Sequence, residues 1–191
     1  MGMSIEEYRN LSLNGNVAKN ENRQIQGKAN RSLGKNFEEQ VEILCEIYKL
    51  NKLAIVEKTP EPMKILKHIE SGRFETVFTK VAQPDFKGTI KGGRTVVFDA
   101  KYTESNKITY QALSENQRET LLAYDELGAM AFVLVGFSNG EIYHIDIKIW
   151  ENMKKIFGVK HIKLEELEKG NFKSKKLNNG IVDFLGICEK I

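Results

Sequence analysis

Gln83-Pro84-Asp85-Phe86-Lys87-Gly88 and, past a turn, Thr95-Val96-Val97-Phe98-Asp99-Ala100-Lys101 are the stretch on which the reading of this chain rests. The second piece is a run of β-branched and aromatic residues, which predicts a strand. Residues two apart on a strand share a face, so Asp99 and Lys101 project together. Gly92-Gly93 between the pieces is a turn signal. Folding back there makes a hairpin that brings Asp85 alongside Asp99. Two carboxylates and a lysine at one strand end suit Mg²⁺-dependent phosphodiester hydrolysis. Carboxylate oxygens bind a hard cation, and a lysine places positive charge near the attacking water and the phosphate. The plain alternative for Asp99 and Lys101 is a strand-end ion pair.

Pro84-Asp85 followed by Asp99-Ala100-Lys101 resembles the PD-(D/E)xK nuclease superfamily. The flanking text narrows the resemblance. Asn30-Arg31 and Gly34-x-x-Phe37-Glu38 lie upstream, and Pro60-x-Pro62-x-Lys64-Ile65 precedes the acidic motif. Gln117 and Gly128-Ala129-x-Ala131-Phe132-Val133 follow it. In that order these pieces resemble the RecU family of Holliday junction resolvases, from about Asn30 to the C-terminus.

The resemblance implies an α/β fold, a restriction-endonuclease-like mixed β-sheet flanked by helices, with a projecting β-hairpin stalk at about residues 60–81. It implies a Mg²⁺-dependent endonuclease, with Mn²⁺ as a substitute, that resolves four-way DNA junctions by paired symmetric nicks in recombination and repair. Paired nicks call for a two-fold homodimer. Asp85, Asp99 and the backbone carbonyl of Ala100 would hold the metal, Lys101 would orient the nucleophile, and Glu38 and Gln117 would complete the site, Gln117 counting also among the metal ligands. DNA contacts would come from Arg31 and Lys35 at the N-terminal side, from Lys64, Lys67, Arg73 and Lys80 on the stalk, and from Lys87. Two departures stand out: Asp99 occupies a position where the family usually carries glutamate, and Gln83-Pro84 stands where threonines are usual. Two other readings fit the same residues, a nuclease-fold protein that binds branched DNA without cutting it, and a nuclease of this superfamily acting on ends or ordinary duplex.

The bulk numbers are those of an ordinary globular chain. With 191 residues, 41% hydrophobic and 29% charged, it can bury a core of its own. Net charge is only +3, but Lys58 to Arg94 carries eight Lys/Arg against four acids, a local excess that suits a polyanion or a solvated face. Cys45 and Cys188 lack metal-ligand spacing and read as buried free thiols, as expected in a reducing cytoplasm. No apolar run approaches membrane-spanning length.

Residues 1–29 read as a flexible polar arm and 30–191 as one nuclease domain. Phe37, Val41, Leu44, Cys45 and Tyr48 recur at helical spacing. Glu38 sits in the first turn of that helix, where a carboxylate also suits the helix dipole. Leu53 to Val56 predicts a strand, and Met63–Ile69 with Phe74–Val81 predicts a hairpin around Gly72. Ser114 is a good N-cap, and Gln117 three residues on fits a capping box, which competes with a role in the site. Ala129–Phe137 reads as a strand buried on both faces, Glu141–Ile147 as the next strand, Ile162–Leu167 as a short helix and Ile181–Leu185 as a last strand.

Overall fold

Alternation along two neighbouring strands organises the core. The computed structural model describes residues 34–60, 63–69, 73–78, 83–176 and 182–188. A first helix, α1, spans 34–50. Strands β1 (Ala54–Lys58), β2 (Met63–Ile69), β3 (Arg73–Phe78), β4 (Phe86–Ile90), β5 (Thr95–Thr103) and β6 (Lys107–Thr109) follow. After a 3₁₀ turn at Tyr110–Ala112 come α2 (Glu115–Glu126), β7 (Met130–Phe137) and β8 (Ile142–Asp146). The chain continues through α3 (Ile147–Glu151), α4 (Met153–Phe157), β9 (His161–Lys163) and α5 (Leu164–Lys169) to β10 (Lys175–Lys176) and β11 (Val182–Asp183).

The central sheet has the order β1-β4-β5-β7-β8. It is mixed, because β5 and β7 are parallel while the other neighbours are antiparallel. Val96, Phe98 and Ala100 of β5, with Phe132 and Leu134 of β7, pack against α1 through Phe37, Val41, Cys45 and Tyr48. Val97 of β5, with Val133 and Val135 of β7, packs on the opposite side with Leu121 of α2 and Trp150 of α3. Both faces of the middle strands are therefore dry, which is why β7 is apolar almost throughout. The mixed α/β class expected from the sequence is the one observed.

Phe86, Phe98, Phe132 and His144 form a ladder of stacked rings across β4, β5, β7 and β8, with centroids 4.9, 4.7 and 3.7 Å apart. Burial lowers the His144 pKa, and its Nδ1 lies 2.9 Å from the Phe184 carbonyl oxygen. Asp183, also buried, fastens the C-terminal segment to α1. Its carboxylate accepts from the Tyr48 hydroxyl at 2.8 Å and from the backbone N–H groups of Ile187 and Cys188 at 3.3 and 2.8 Å. The Leu185 N–H donates to the same hydroxyl at 3.1 Å. Burial pushes the Tyr48 phenol far above its ordinary pKa, so it serves as a permanent donor. Cys45 and Cys188 are buried and free.

Three boundaries differ from the sequence reading. β8 stops at Asp146, whose carboxylate caps α3 by accepting from the Lys148 N–H at 2.7 Å. The helix expected from Ile162 starts at Leu164, because His161–Lys163 pairs with β6. Strand pairing near the C-terminus covers Val182 and Asp183, and Phe184 and Leu185 enter the core as a turn. The expected arm, residues 1–29, lies outside the described residues.

Strands β2 and β3 pair with each other and with no other described strand. Met63, Ile65, Leu66, Ile69 and Val77 on this hairpin are between 44% and 59% exposed.

Replacing Tyr48 with Phe leaves the buried Asp183 short of its hydroxyl donor, at a cost of about 1–3 kcal/mol. Thermal unfolding of Tyr48→Phe should show a midpoint several degrees below wild type, whereas an unchanged midpoint would mean that the clasp contributes nothing.

Candidate active site

Pairing of Phe86 with Phe98 sets Asp85 across from Asp99, one step beyond the last ladder pair. At that step the Asp85 side chain substitutes for backbone, since its Oδ2 accepts from the Ala100 N–H at 3.0 Å. Lys101 Nζ lies 3.6 Å from the same oxygen and 3.3 Å from Asp99 Oδ1. Directly opposed carboxylates repel, and the ammonium between them offsets part of that repulsion.

Asp99 is fully buried. Burial is the largest influence on its pKa, Lys101 acts against it and Asp85 adds to it, and the carboxyl is raised to about 7. Oδ1 accepts from Gln117 Nε2 at 2.6 Å, while the buried Oδ2 has no hydrogen-bond partner among the described residues. A carboxylate oxygen left without a donor costs free energy unless a cation meets it. Among the described residues no three His, Cys, Asp or Glu side chains come together. A hard cation here would thus rest on two carboxylates completed by peptide carbonyl and water, a donor set that suits Mg²⁺.

Gln117 holds two places at once. Ser114 caps α2, and the Gln117 Oε1 accepts from the Ser114 N–H and hydroxyl, each at 3.0 Å. With its oxygen turned to the cap, the amide nitrogen faces Asp99. The capping box and the link to the acidic pair are one arrangement, and Oε1 would have to leave Ser114 to ligate a cation.

Glu38 is placed differently. Its carboxylate pairs with Lys58 of β1 at 2.8 Å, and Glu42 meets the same ammonium at 3.1 Å. The Glu38 hydrogen bond is the first cause that lifts the Lys58 pKa. Lys58 adjoins Thr59, whose N–H donates to the Asp85 carbonyl at 2.8 Å, so Glu38 stands one salt bridge away from the acidic pair and outside it. Of the expected DNA contacts, Lys35, Lys67 and Arg73 are exposed. Lys87 is half-buried, 3.5 Å from Gln83 Oε1 and over the Tyr124 ring. Arg31, Lys80 and the side chain of Lys64 lie outside the described residues.

Thr59 is a residue the sequence reading passed over. Its Oγ1 is buried and makes no hydrogen bond among the described residues. Thr59, just past β1, is thus held against the Asp85 backbone through its own N–H. Strand pairing alone reveals it.

A mixed sheet whose middle strand carries a carboxylate and a lysine, with a second carboxylate opposed from the next strand, is the arrangement of the PD-(D/E)xK nuclease class. The model of one family, described as Recombination protein U, matches residues 32–190, and the chain belongs to this RecU family. The Holliday junction resolvase RecU of Leuconostoc mesenteroides is 25% identical over 170 residues, 83% of this chain and 81% of its own length. That of Bacillus cytotoxicus is 30% identical over 148 residues, 71% of this chain and 72% of its own. Among solved structures, the Holliday junction resolvase Hjc of Archaeoglobus fulgidus aligns with a TM-score of 0.39 at 15% identity, covering 61% of this chain and 74% of that one. Among the described residues no helix is long and apolar enough to cross a membrane.

The raised Asp99 pKa has a defined sign. The folded carboxyl sits above its ordinary value of 3.8, so its protonation favours the fold. That contribution is complete in acid and is lost as pH rises through about 7. In chelator, wild type should therefore melt several degrees lower at about pH 8 than at about pH 5.5, a gap that Asp99→Asn, uncharged throughout, should narrow. Scanning calorimetry of both proteins measures it, and equal pH dependence in the two would exclude Asp99 as the source.

Proposed function

We infer that this protein is a divalent-metal-dependent, structure-selective endonuclease that resolves four-way DNA junctions by paired symmetric nicks. The observation that carries the reading is the pair Asp85 and Asp99 joined through Lys101, with the buried Asp99 Oδ2 left without a donor, in a chain of the RecU family. The metal would be Mg²⁺, with Mn²⁺ as a substitute, held by Asp85, Asp99 and the Ala100 carbonyl. When bound it polarises the scissile phosphate and lowers the pKa of a coordinated water. Lys101 holds its ammonium against both carboxylates and can steady an attacking water there. Gln117 fixes the Asp99 carboxylate through Nε2 and so orients the ligand, a positioning role. Glu38 acts at one remove, by restraining Lys58 on the strand next to Asp85.

The β2–β3 hairpin serves as the stalk that selects a branched substrate, since it is exposed, basic at Lys67 and Arg73, and pairs with no other described strand. Two symmetric nicks require a homodimer with two-fold symmetry.

A labelled junction with a mobile core, run beside a linear duplex of the same sequence, tests this. Wild type should place symmetric, cation-dependent nicks in the junction alone. Asp99→Asn and Lys101→Ala should each lose at least about 100-fold in rate while still binding the junction in chelator. Tight junction binding without nicks under any divalent cation would make the protein a non-cleaving branched-DNA binder. Equal cutting of duplex would keep the site and reject the substrate. Replacing Met63–Phe78 with a short turn should abolish junction preference and spare basal nicking; preference that persists would remove the stalk from the mechanism.

A further inference from the structure

Two lysines face each other on a short ribbon between the catalytic strand and the catalytic helix. Strands β6 and β9 are antiparallel, with Lys107 opposite Lys163, Ile108 opposite Ile162 and Thr109 opposite His161. The Leu164 N–H donates to the Asn106 carbonyl at 2.8 Å and the Tyr110 N–H to the Lys160 carbonyl at 3.0 Å. Those bonds mark 106/164 and 110/160 as hydrogen-bonded pairs. By alternation, Lys107 and Lys163 form a non-hydrogen-bonded pair, the kind in which facing side chains come closest. Ile108 and Ile162 point inward to the core that also holds Val97 and Leu121. Lys107, Thr109, His161 and Lys163 consequently form the outer face, on the α2 side of the sheet.

Like charges directly opposed on a ribbon are destabilising, and among the described residues neither ammonium has a carboxylate partner. Glu166, the nearest acid in sequence with a bond here, is committed to the Lys163 backbone N–H at 2.8 Å. Lys160, also exposed, alternates to the other side of the ribbon, with its ammonium 5.0 Å from the Tyr110 ring centroid. The ribbon is tied to the end of β5 by Thr103 and Ser105, whose hydroxyls reach the Lys107 carbonyl at 3.4 and 3.2 Å. Its other end leads through Tyr110–Ala112 to Ser114 and Gln117.

We propose that the outer face of the β6–β9 ribbon is a phosphodiester-binding site, in which Lys107 and Lys163 together clasp the backbone of a DNA duplex arm running past the acidic pair. A phosphate between the two ammonium groups turns their mutual repulsion into shared attraction. The proposal deepens the nuclease reading and rests on it for the identity of the polyanion.

Lys163→Glu separates binding from folding, because it replaces a repelling cross-strand pair with an attracting one. Binding of a linear duplex and of a junction would be measured in chelator across a salt series, with thermal unfolding of the DNA-free protein alongside. The variant should melt at or above the wild-type temperature, bind both DNAs several-fold more weakly, and show a shallower salt dependence by about one to two released counterions. Lys107→Gln should weaken binding of both DNAs in the same sense with a smaller change in slope. Wild-type affinity and slope in both variants would overturn the proposal, and so would a wild-type protein that binds neither DNA. Weakened binding in a protein that never nicks junctions would sink the resolvase reading and leave the ribbon standing. Undiminished binding with normal nicking would do the reverse.

Discussion

Everything at the acidic site depends on the register of β4 against β5. Side chains alternate faces with a period of two, so a slip of one residue would turn Asp85 into the opposite core and leave Asp99 alone. One feature holds this register, and another fixes β4 against its other neighbour, β1. Phe86, Phe98 and Phe132 stack as one row across three strands, so a slip would break every ring contact together. Gly88, opposite Val56 of β1, leaves no room for a Cβ, which would fall 2.1 Å from the Ile55 carbonyl oxygen. The neighbouring strand thus closes on β4 at one position, and the geometry of the acidic pair follows from the aromatic packing of the residues next to it.

That packing brings together groups that would otherwise avoid one another. A fully buried carboxylate, a second one across the strand gap and one unbonded oxygen are unfavourable in the metal-free protein. Lys101 and Gln117 relieve only part of this. The remainder, the Asp99 Oδ2 without a donor, is the observation on which the proposed cation site rests. The ribbon of β6 and β9 shows the same principle with the opposite sign, since its facing lysines are eased by an anion. A cross-strand pair of acids and a cross-strand pair of bases, both reached from β5, are the charged features on which the proposed cation and phosphodiester sites rest.

Much of this was legible in the sequence because it is written locally. The β-branched run at Thr95, the Gly92-Gly93 turn and the unbroken apolar stretch of β7 each have a physical meaning within a few residues. Ser114 and Gln117 announced a capping box, the family resemblance implied a site role for Gln117, and in the fold one amide both closes the cap and reaches Asp99. What stayed hidden depends on distant pairing. Lys58 gives no local sign that it meets Glu38 and Glu42, and Thr59 none that it adjoins Asp85. His161–Lys163 has too few residues to show a period, so the sequence favours a helix from Ile162, and only the pairing of Ile162 with Ile108 marks β9. The alternation from Glu141 to Ile147 gives no sign that Asp146 leaves the strand to cap α3.

The clasp between Tyr48 and Asp183 joins residues 135 positions apart. Contacts so distant in sequence close a long loop of chain and come late in folding. During synthesis, α1 leaves the ribosome early yet waits for Phe184, Leu185 and Cys188 to complete the cover of its apolar face. The sheet covers Phe37 and Val41, whereas Tyr48 gains Phe184 and Asp183 only when those last residues are in place. The sheet that carries the acids can pair before that moment, so the order of assembly runs from the chemistry outward to its lid of packing.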